Sequence, residues 1–87
     1  MRKIKFRGRT CGNVMVYGDL RHVGSTAVID DTAVYEDSIA QLVGLDANNR
    51  EVYEGDVLID ELEQEYTAEI YDRPEKIRSL KLKEAQP

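Results

Sequence analysis

The sequence predicts a mainly β fold, organised as a small barrel with one short helical turn. Three observations predict it: short runs in which apolar and polar residues alternate, turn-forming segments between those runs, and a Tyr-Glu-Gly-Asp bend at 53–56 that precedes β-branched residues. Alternation with a period of two places the apolar side chains on one face of a strand. At 87 residues the chain has room for a single domain, 1–87, with a small core.

The N-terminal part is predicted to form short strands. In RKIKFR, Ile4 and Phe6 share one face and three basic residues share the other. The segment GRTCGN supplies turn chemistry and leads into the β-prone run VMVY, which Gly-Asp at 18–19 ends. TAVID predicts a further short strand.

The segment DTAVYEDSIAQLVGL predicts a short helical turn. Ile39, Leu42 and Val43 have helical spacing, and Asp37 or Ser38 is placed to cap a single turn. The next segment, DANN, is typical of a turn whose residues tolerate a positive φ.

The bend at 53–56 is interpreted as a corner of the barrel, at which a strand changes direction. Val52 and Tyr53 are expected to approach the core, and Gly55 fits a backbone turn in which a Cβ would clash. Asp56 is expected to accept hydrogen bonds from amides of the bend.

The C-terminal part leaves two structures open. YTAEIYD alternates and predicts a strand. Beyond it, Asp72 and Glu75 have capping-box spacing and Ile77 and Leu80 share a helical face, which favours a helix over 74–87 that frays at its end. Leu80 and Leu82 equally permit a strand.

Charge is segregated along the chain, although the net charge is only −5. Residues 1–22 hold six basic groups and one acid, whereas residues 23–69 hold one basic group and thirteen acids. The two segments either pair within the fold or form a polar interaction surface. The acidic bulk makes nucleic acid an unfavoured partner, because phosphate contacts need a basic face.

The residues capable of chemistry are few. The chain has one histidine, His22, which is expected near a surface turn, and one cysteine, Cys11, which excludes an intrachain disulfide and suits a reducing cytosol. The acidic segment DELEQE lacks the spaced ligands and the glycine of a calcium loop. We therefore expect no catalytic, cofactor or metal site, and a protein that is not an enzyme.

The segments that target proteins to membranes are also missing from the sequence. The basic N-terminal segment is not followed by the apolar region of a signal peptide, and no apolar run is long enough to cross a bilayer. The expectation is a soluble, cytoplasmic protein with no membrane contact. It is either a monomer or a homodimer, because unpaired strand edges invite pairing between chains.

The candidate partner-binding residues are acids of the central segment and exposed tyrosines. Tyrosine is common at interfaces because it combines a large apolar area with a polar tip. Tyr17 and Tyr53 are expected mostly in the core, and Tyr35 and Tyr71 at an interface. The full predicted set is Asp30, Asp31, Tyr35, Glu36, Asp37, Asp60, Glu61, Glu63, Glu65 and Tyr71.

Four segments together, IKFRG, YGDL, IAQLVGL and DANNREVYEGDVL, resemble the YopX family of small bacteriophage and prophage proteins. The resemblance covers residues 3–60, with a Leu-Val pair at 42–43 where the family more often has an aromatic residue and threonine. The residues that match the family pattern are Gln41, Gly44, Leu45, Tyr53, Glu54, Gly55 and Asp56. The resemblance implies an SH3-like barrel, a phage or prophage origin and no catalytic residues.

Three functions follow as expectations. The first is a phage accessory protein that binds a host or phage protein in the cytoplasm of the bacterial host. The second is an inhibitor of host defence, such as an anti-CRISPR protein, whose acidic surface mimics phosphate charge. The third is nucleic-acid binding through the basic N-terminal strand that carries Lys3, Lys5, Arg7 and Arg9.

Overall fold

The computed structural model describes residues 4–83, and 45% of them lie in β-strands. This confirms the mainly β prediction and is consistent with a small β-barrel-like fold. A 3-10 turn spans Glu36–Ser38, and helix α1 spans Pro74–Arg78. The strands are β1 Phe6–Arg9, β2 Met15–Gly18, β3 Leu20–Val23, β4 Thr26–Ile29, β5 Thr32–Val34, β6 Ala40–Leu45, β7 Glu51–Tyr53, β8 Val57–Ile59, β9 Glu65–Thr67 and β10 Lys81–Leu82.

Contacts within the chain group it into two compact units, residues 1–42 and 43–87. Each unit has its own cluster of buried apolar side chains. The prediction of one domain over 1–87 is not tested by this grouping and stays a prediction.

In the first unit, β1 lies between β2 and the beginning of β6, and both pairings are antiparallel. Strands β3, β4 and β5 form a second antiparallel sheet by consecutive hairpins. The buried cluster comprises Ala27, Ile29 and Val34 from that second sheet, with Phe6 among the residues packed on them. A Cβ at Gly8 would lie only 3.0 Å from the Val34 side chain, so this close approach favours glycine.

In the second unit, β7 is the hydrogen-bonded neighbour of β6, and β8 lies between β9 and β10. Its fully buried apolar residues include Val43, Val52, Leu58 and Ile77. Ile77 is the buried residue of α1, so the helix packs on the core of this unit through that side chain. The predicted bend is confirmed: Val52 and Tyr53 are buried, and Gly55 has a φ of 88°. The expected Cβ clash at Gly55 is wrong, because an added Cβ would have open space around it, so the positive φ alone favours glycine. The Asp56 carboxylate accepts a hydrogen bond of 2.8 Å from the Tyr53 N–H.

Three hairpin loops, at 10–14, 46–50 and 60–64, share one hydrogen-bond pattern. In each loop, the backbone N–H of the first residue donates a hydrogen bond to the carbonyl of the fifth residue. The N–H of the fourth residue donates to the carbonyl of the first residue. The side-chain oxygen of the first residue accepts from the fifth N–H in all three loops. The fourth residue has a φ of 62° each time, which is the left-handed position of a bulged hairpin loop.

Several predictions about local structure are wrong. Residues 39–43 do not form a helical turn, because Leu42 and Val43 are consecutive buried residues of β6, and the helical turn lies earlier, at Glu36–Ser38. Tyr17 is not a core residue, since 46% of it is exposed. Strands β3 and β5 were not expected, because their residues show little alternation of apolar and polar side chains.

The C-terminal segment contains both of the predicted structures in succession. Helix Pro74–Arg78 begins after Arg73, whose side chain makes no capping bond, so the capping-box prediction is wrong. The Asp72 carboxylate instead accepts a hydrogen bond from the Glu69 N–H. Lys81–Leu82 then forms a strand beside β8. Residues 84–87 of the helix or frayed tail predicted over 74–87 lie outside the described residues, as does Lys3 of the predicted basic strand.

Candidate partner-binding surfaces

The first group of predicted partner-binding acids lies in the first unit, at the turn between β4 and β5. Asp30 and Asp31 are the two turn residues, with φ values of 52° and 59°. Asparagine and aspartate tolerate this conformation better than other residues, which explains two adjacent aspartates here. Asp31 accepts a hydrogen bond of 2.5 Å from the Arg21 guanidinium, so its charge is partly neutralised, whereas the Asp30 side chain is exposed.

Tyr35, Glu36 and Asp37 lie together at the 3-10 turn of the first unit. Tyr35 is half exposed, and its carbonyl accepts a hydrogen bond from the Ser38 hydroxyl. The Glu36 carboxylate lies 3.7 Å from His22 Nε2, a contact that becomes an ion pair when the histidine is protonated. The structure therefore brings these three predicted residues onto one short exposed segment.

The second group of predicted acids lies in the second unit, on the hairpin loop at 60–64 and at the start of β9. The Asp60 carboxylate accepts hydrogen bonds from the Leu62 N–H at 2.8 Å and the Gln64 N–H at 2.9 Å. The Tyr66 hydroxyl donates to the other oxygen of Asp60 at 3.2 Å. Asp60 therefore holds the loop in one conformation, and its carboxylate is engaged within the loop.

Titration of Asp60 and Tyr66 reflects the same contacts. The hydrogen bond from the Gln64 N–H is the main cause that lowers the pKa of Asp60, and the bonds from Leu62 and Tyr66 add to it. The hydrogen bond to Asp60 is also the main cause that raises the pKa of the Tyr66 hydroxyl. Both shifts favour the state in which an ionised carboxylate accepts from a neutral phenol.

The tip of this loop presents Leu62 between two acids. Leu62 is 79% exposed, and Glu61 and Glu63 flank it. Within the described chain neither of these acids forms an ion pair, whereas Glu65 pairs with Lys83. The sequence pattern predicted the acids but not Leu62, whose signal is a single apolar residue within the run DELEQE.

Glu63 occupies the left-handed position of the loop, with a φ of 62°. The equivalent residues of the two other loops are Asn13 and Asn49, which suit that conformation better than glutamate does. Glutamate at this position is therefore unfavourable for the backbone, and strain of this kind often marks a residue retained for function.

Tyr71 lies in the turn that precedes α1 and is 92% exposed. Its neighbour Asp72 accepts from the Glu69 N–H and pairs with Lys76 at 3.6 Å. The Lys76 ammonium lies 5.8 Å from the centre of the Tyr66 ring, within the range of a cation–π contact. The turn that presents Tyr71 is therefore held by polar contacts of its neighbours.

A second feature missed from the sequence is the buried carboxylate of Asp46, in the loop at 46–50. Asp46 is 0% exposed and accepts hydrogen bonds from the N–H groups of Asn48, Arg50 and Leu82. The Arg50 guanidinium lies 3.4 Å from it. Asp46 therefore fixes both its own hairpin and strand β10, which makes it a structural residue.

Residues 4–83 contain no group of three or more His, Cys, Asp or Glu side chains placed to hold a metal ion. Among the same residues, no helix has the length and apolar character needed to cross a membrane.

Comparison with known proteins leaves the chain without an assigned relative: no family model, no curated protein and no solved structure matches it.

Proposed function

We propose that this chain is a YopX-like bacteriophage or prophage accessory protein that acts without catalysis, by binding a host or phage protein in the bacterial cytoplasm. The observation that carries the proposal is the loop at 60–64, where Leu62 is exposed between two acids on a backbone fixed by Asp60. The resemblance of residues 3–60 to the YopX family supports a bacterial host as the setting of this partner.

The loop has the properties of an interface anchor. An exposed apolar side chain gains free energy when it enters a pocket of a partner, and a preformed backbone avoids the entropic cost of ordering a loop on binding. Glu61 and Glu63 beside it complement basic residues at the rim of such a pocket. The proposed partner therefore presents an apolar pocket with a basic rim.

Inhibition of host defence by phosphate mimicry, as in an anti-CRISPR protein, is a narrower form of this proposal. It requires a series of carboxylates that are available to a basic channel. Asp31 and Glu65 are paired with Arg21 and Lys83, and the Asp60 carboxylate is engaged within its loop. These contacts favour an apolar anchor with acidic flanks over an acidic surface that imitates nucleic acid.

The test is quantitative capture of proteins from a bacterial lysate, followed by titration of the recombinant partner. Leu62→Ala is expected to weaken the partner's affinity at least about tenfold, as truncation of an anchor residue does. The matched control is Val23→Ala, which truncates another exposed apolar side chain, 61% exposed, in the first unit. A partner that binds wild type and Leu62→Ala with equal affinity would refute the anchor.

The flanking acids give a second measurement on the same partner. Glu61→Lys is expected to slow association and weaken its dependence on salt, because the new charge cancels that of Glu63 and charges at a rim act mainly on the encounter rate. The control is Glu75→Lys, an exposed charge reversal on α1. Equal association rates for these two variants would show that the acids of the loop do not face the partner.

A further inference from the structure

The outer face of the β1–β2 hairpin combines cations with an exposed aromatic ring. The register pairs Arg7 with Tyr17 and Arg9 with Met15, so these four side chains lie on one face of the two strands. The residues between them, such as Val16, face the buried cluster of the first unit. Lys5 belongs to the outer face as well, because its ammonium lies 6.0 Å from the centre of the Tyr17 ring.

The exposure of this face was not expected from the sequence. Tyr17 is 46% exposed and Met15 is 40% exposed, and the Arg9 side chain beside them is exposed too. An exposed tyrosine and an exposed methionine beside three cations on one face suggest a surface with a ligand.

We infer that this face binds single-stranded nucleic acid. A positively charged strand tracks the phosphate backbone, and an aromatic ring on the same face provides a platform on which an unstacked base packs. Arg7 and Arg9 alternate along β1 and Lys5 lies one residue before it, and Tyr17 lies across from Arg7. Double-stranded nucleic acid fits the face less well, because its bases are already stacked on each other and cannot pack on the ring.

An acidic protein segment is the competing ligand, and the tyrosine distinguishes the two. The cations serve either ligand, whereas base stacking on an aromatic ring contributes only to nucleic acid. This inference is independent of the proposed function, since it uses the β1–β2 face of the first unit and makes no use of the loop at 60–64.

The test is a fluorescence anisotropy titration of the full chain with a labelled mixed-sequence DNA strand of roughly 12 nucleotides, and with the matching RNA strand. With three phosphate contacts, the logarithm of the affinity is expected to fall with the logarithm of the salt concentration with a slope of about −2. Tyr17→Ala is expected to weaken binding about five- to 150-fold. Arg9→Ala is expected to reduce the slope by about 0.7.

Matched controls are Val23→Ala and Arg78→Ala, which truncate an exposed apolar side chain of the first unit and an exposed arginine of the second unit. Both are expected to bind like wild type. Circular dichroism confirms that each variant is folded, and Tyr17→Ala is expected to fold because the ring is half exposed.

Four outcomes would each overturn the inference. The first is no binding of the single strand at about 50 mM salt, where electrostatic contacts are strong. The second is equal affinity of wild type and Tyr17→Ala for the strand, and the third is equal binding of the strand and its duplex. The fourth is poly-glutamate binding as tightly as the strand, which would assign the face to acidic protein segments.

Discussion

Replacement of Asp46 by alanine is expected to destabilise the protein more than any surface substitution. The change removes the acceptor of three backbone N–H groups, which lie 2.8, 2.9 and 3.0 Å from the carboxylate in Asn48, Arg50 and Leu82. It also removes the carboxylate 3.4 Å from Arg50, but that side chain is 41% exposed, so this second loss is small. Together these losses are expected to cost about 3–5 kcal/mol, mainly from the unsatisfied N–H groups.

That cost is large beside the total stability of a chain of this length, which is about 4–13 kcal/mol. In a domain of this size 1 kcal/mol corresponds to about 4–8 °C, so a loss of 3 kcal/mol lowers the melting temperature by about 12–24 °C. Thermal and urea unfolding followed by circular dichroism measure it. The matched control is Asp37→Ala at an exposed site, with an expected effect below about 0.5 kcal/mol. An effect of Asp46→Ala within 1 kcal/mol of that control would refute the role assigned to the carboxylate.

The same carboxylate makes stability depend on pH. Burial alone would raise the pKa of Asp46, but hydrogen bonds from Leu82, Arg50 and Asn48, together with the Arg50 charge, lower it below its ordinary value of 3.8. Because the pKa is lower in the folded state, this stabilisation is present above pH 3.8 and is lost as the pH falls through the lowered value. The unfolding free energy of wild type should therefore fall more steeply below pH 3.8 than that of Asp46→Asn. If the unfolding free energies of the two proteins changed with pH in parallel, the role assigned to the Asp46 carboxylate would be contradicted.

Three further predictions concern single positions. Gly8→Ala is expected to cost about 1–3 kcal/mol, because its Cβ would lie 3.0 Å from a valine side chain, whereas Gly12→Ala, with its nearest neighbour at 3.8 Å, should be nearly neutral in urea unfolding. Asp60→Asn should lower the pKa of Tyr66 towards 10.0, measured from the tyrosine ring carbons by NMR, and an unchanged pKa would show that the hydrogen bond is not formed. Glu63→Asn should stabilise the chain by about 0.5–1 kcal/mol, because asparagine suits a φ of 62°, and a lower urea midpoint would show that glutamate is not strained there.

The parts of the fold that depend on local chemistry were predictable from the sequence. The bend at Gly55 and Asp56 needs only a flexible residue and a nearby acceptor, and both act as expected. The strand at residues 40–45 was mistaken for a helical turn because burial on both faces places Leu42 and Val43 next to each other, which removes the alternation of a half-exposed strand.

For the candidate sites, the sequence predicted which types of residue are present but not how they are arranged. The sequence identified the acids at 60–65, but it did not show that Asp60 is engaged within its loop or that Leu62 projects from the tip. The prediction that Tyr17 lies in the core was wrong. Alternation shows that Tyr17 and Val16 face opposite sides of the strand, but it does not show which of the two sides is buried. Contacts between residues far apart in the sequence determine which face of a strand is buried, and a local sequence pattern does not reveal those contacts.

The same hydrogen-bonded loop structure recurs at 10–14, 46–50 and 60–64. In each loop, the residues that hold the hairpin together are therefore different from the residues that are exposed at its tip. The first and fifth residues and the left-handed fourth position keep the register, so the second and third residues are interchangeable without disturbing the strands. A tip transplanted from 61–62 into 11–12 should keep its shape there. The protein would thus serve as a carrier on which short recognition sequences can be exchanged while the scaffold stays constant.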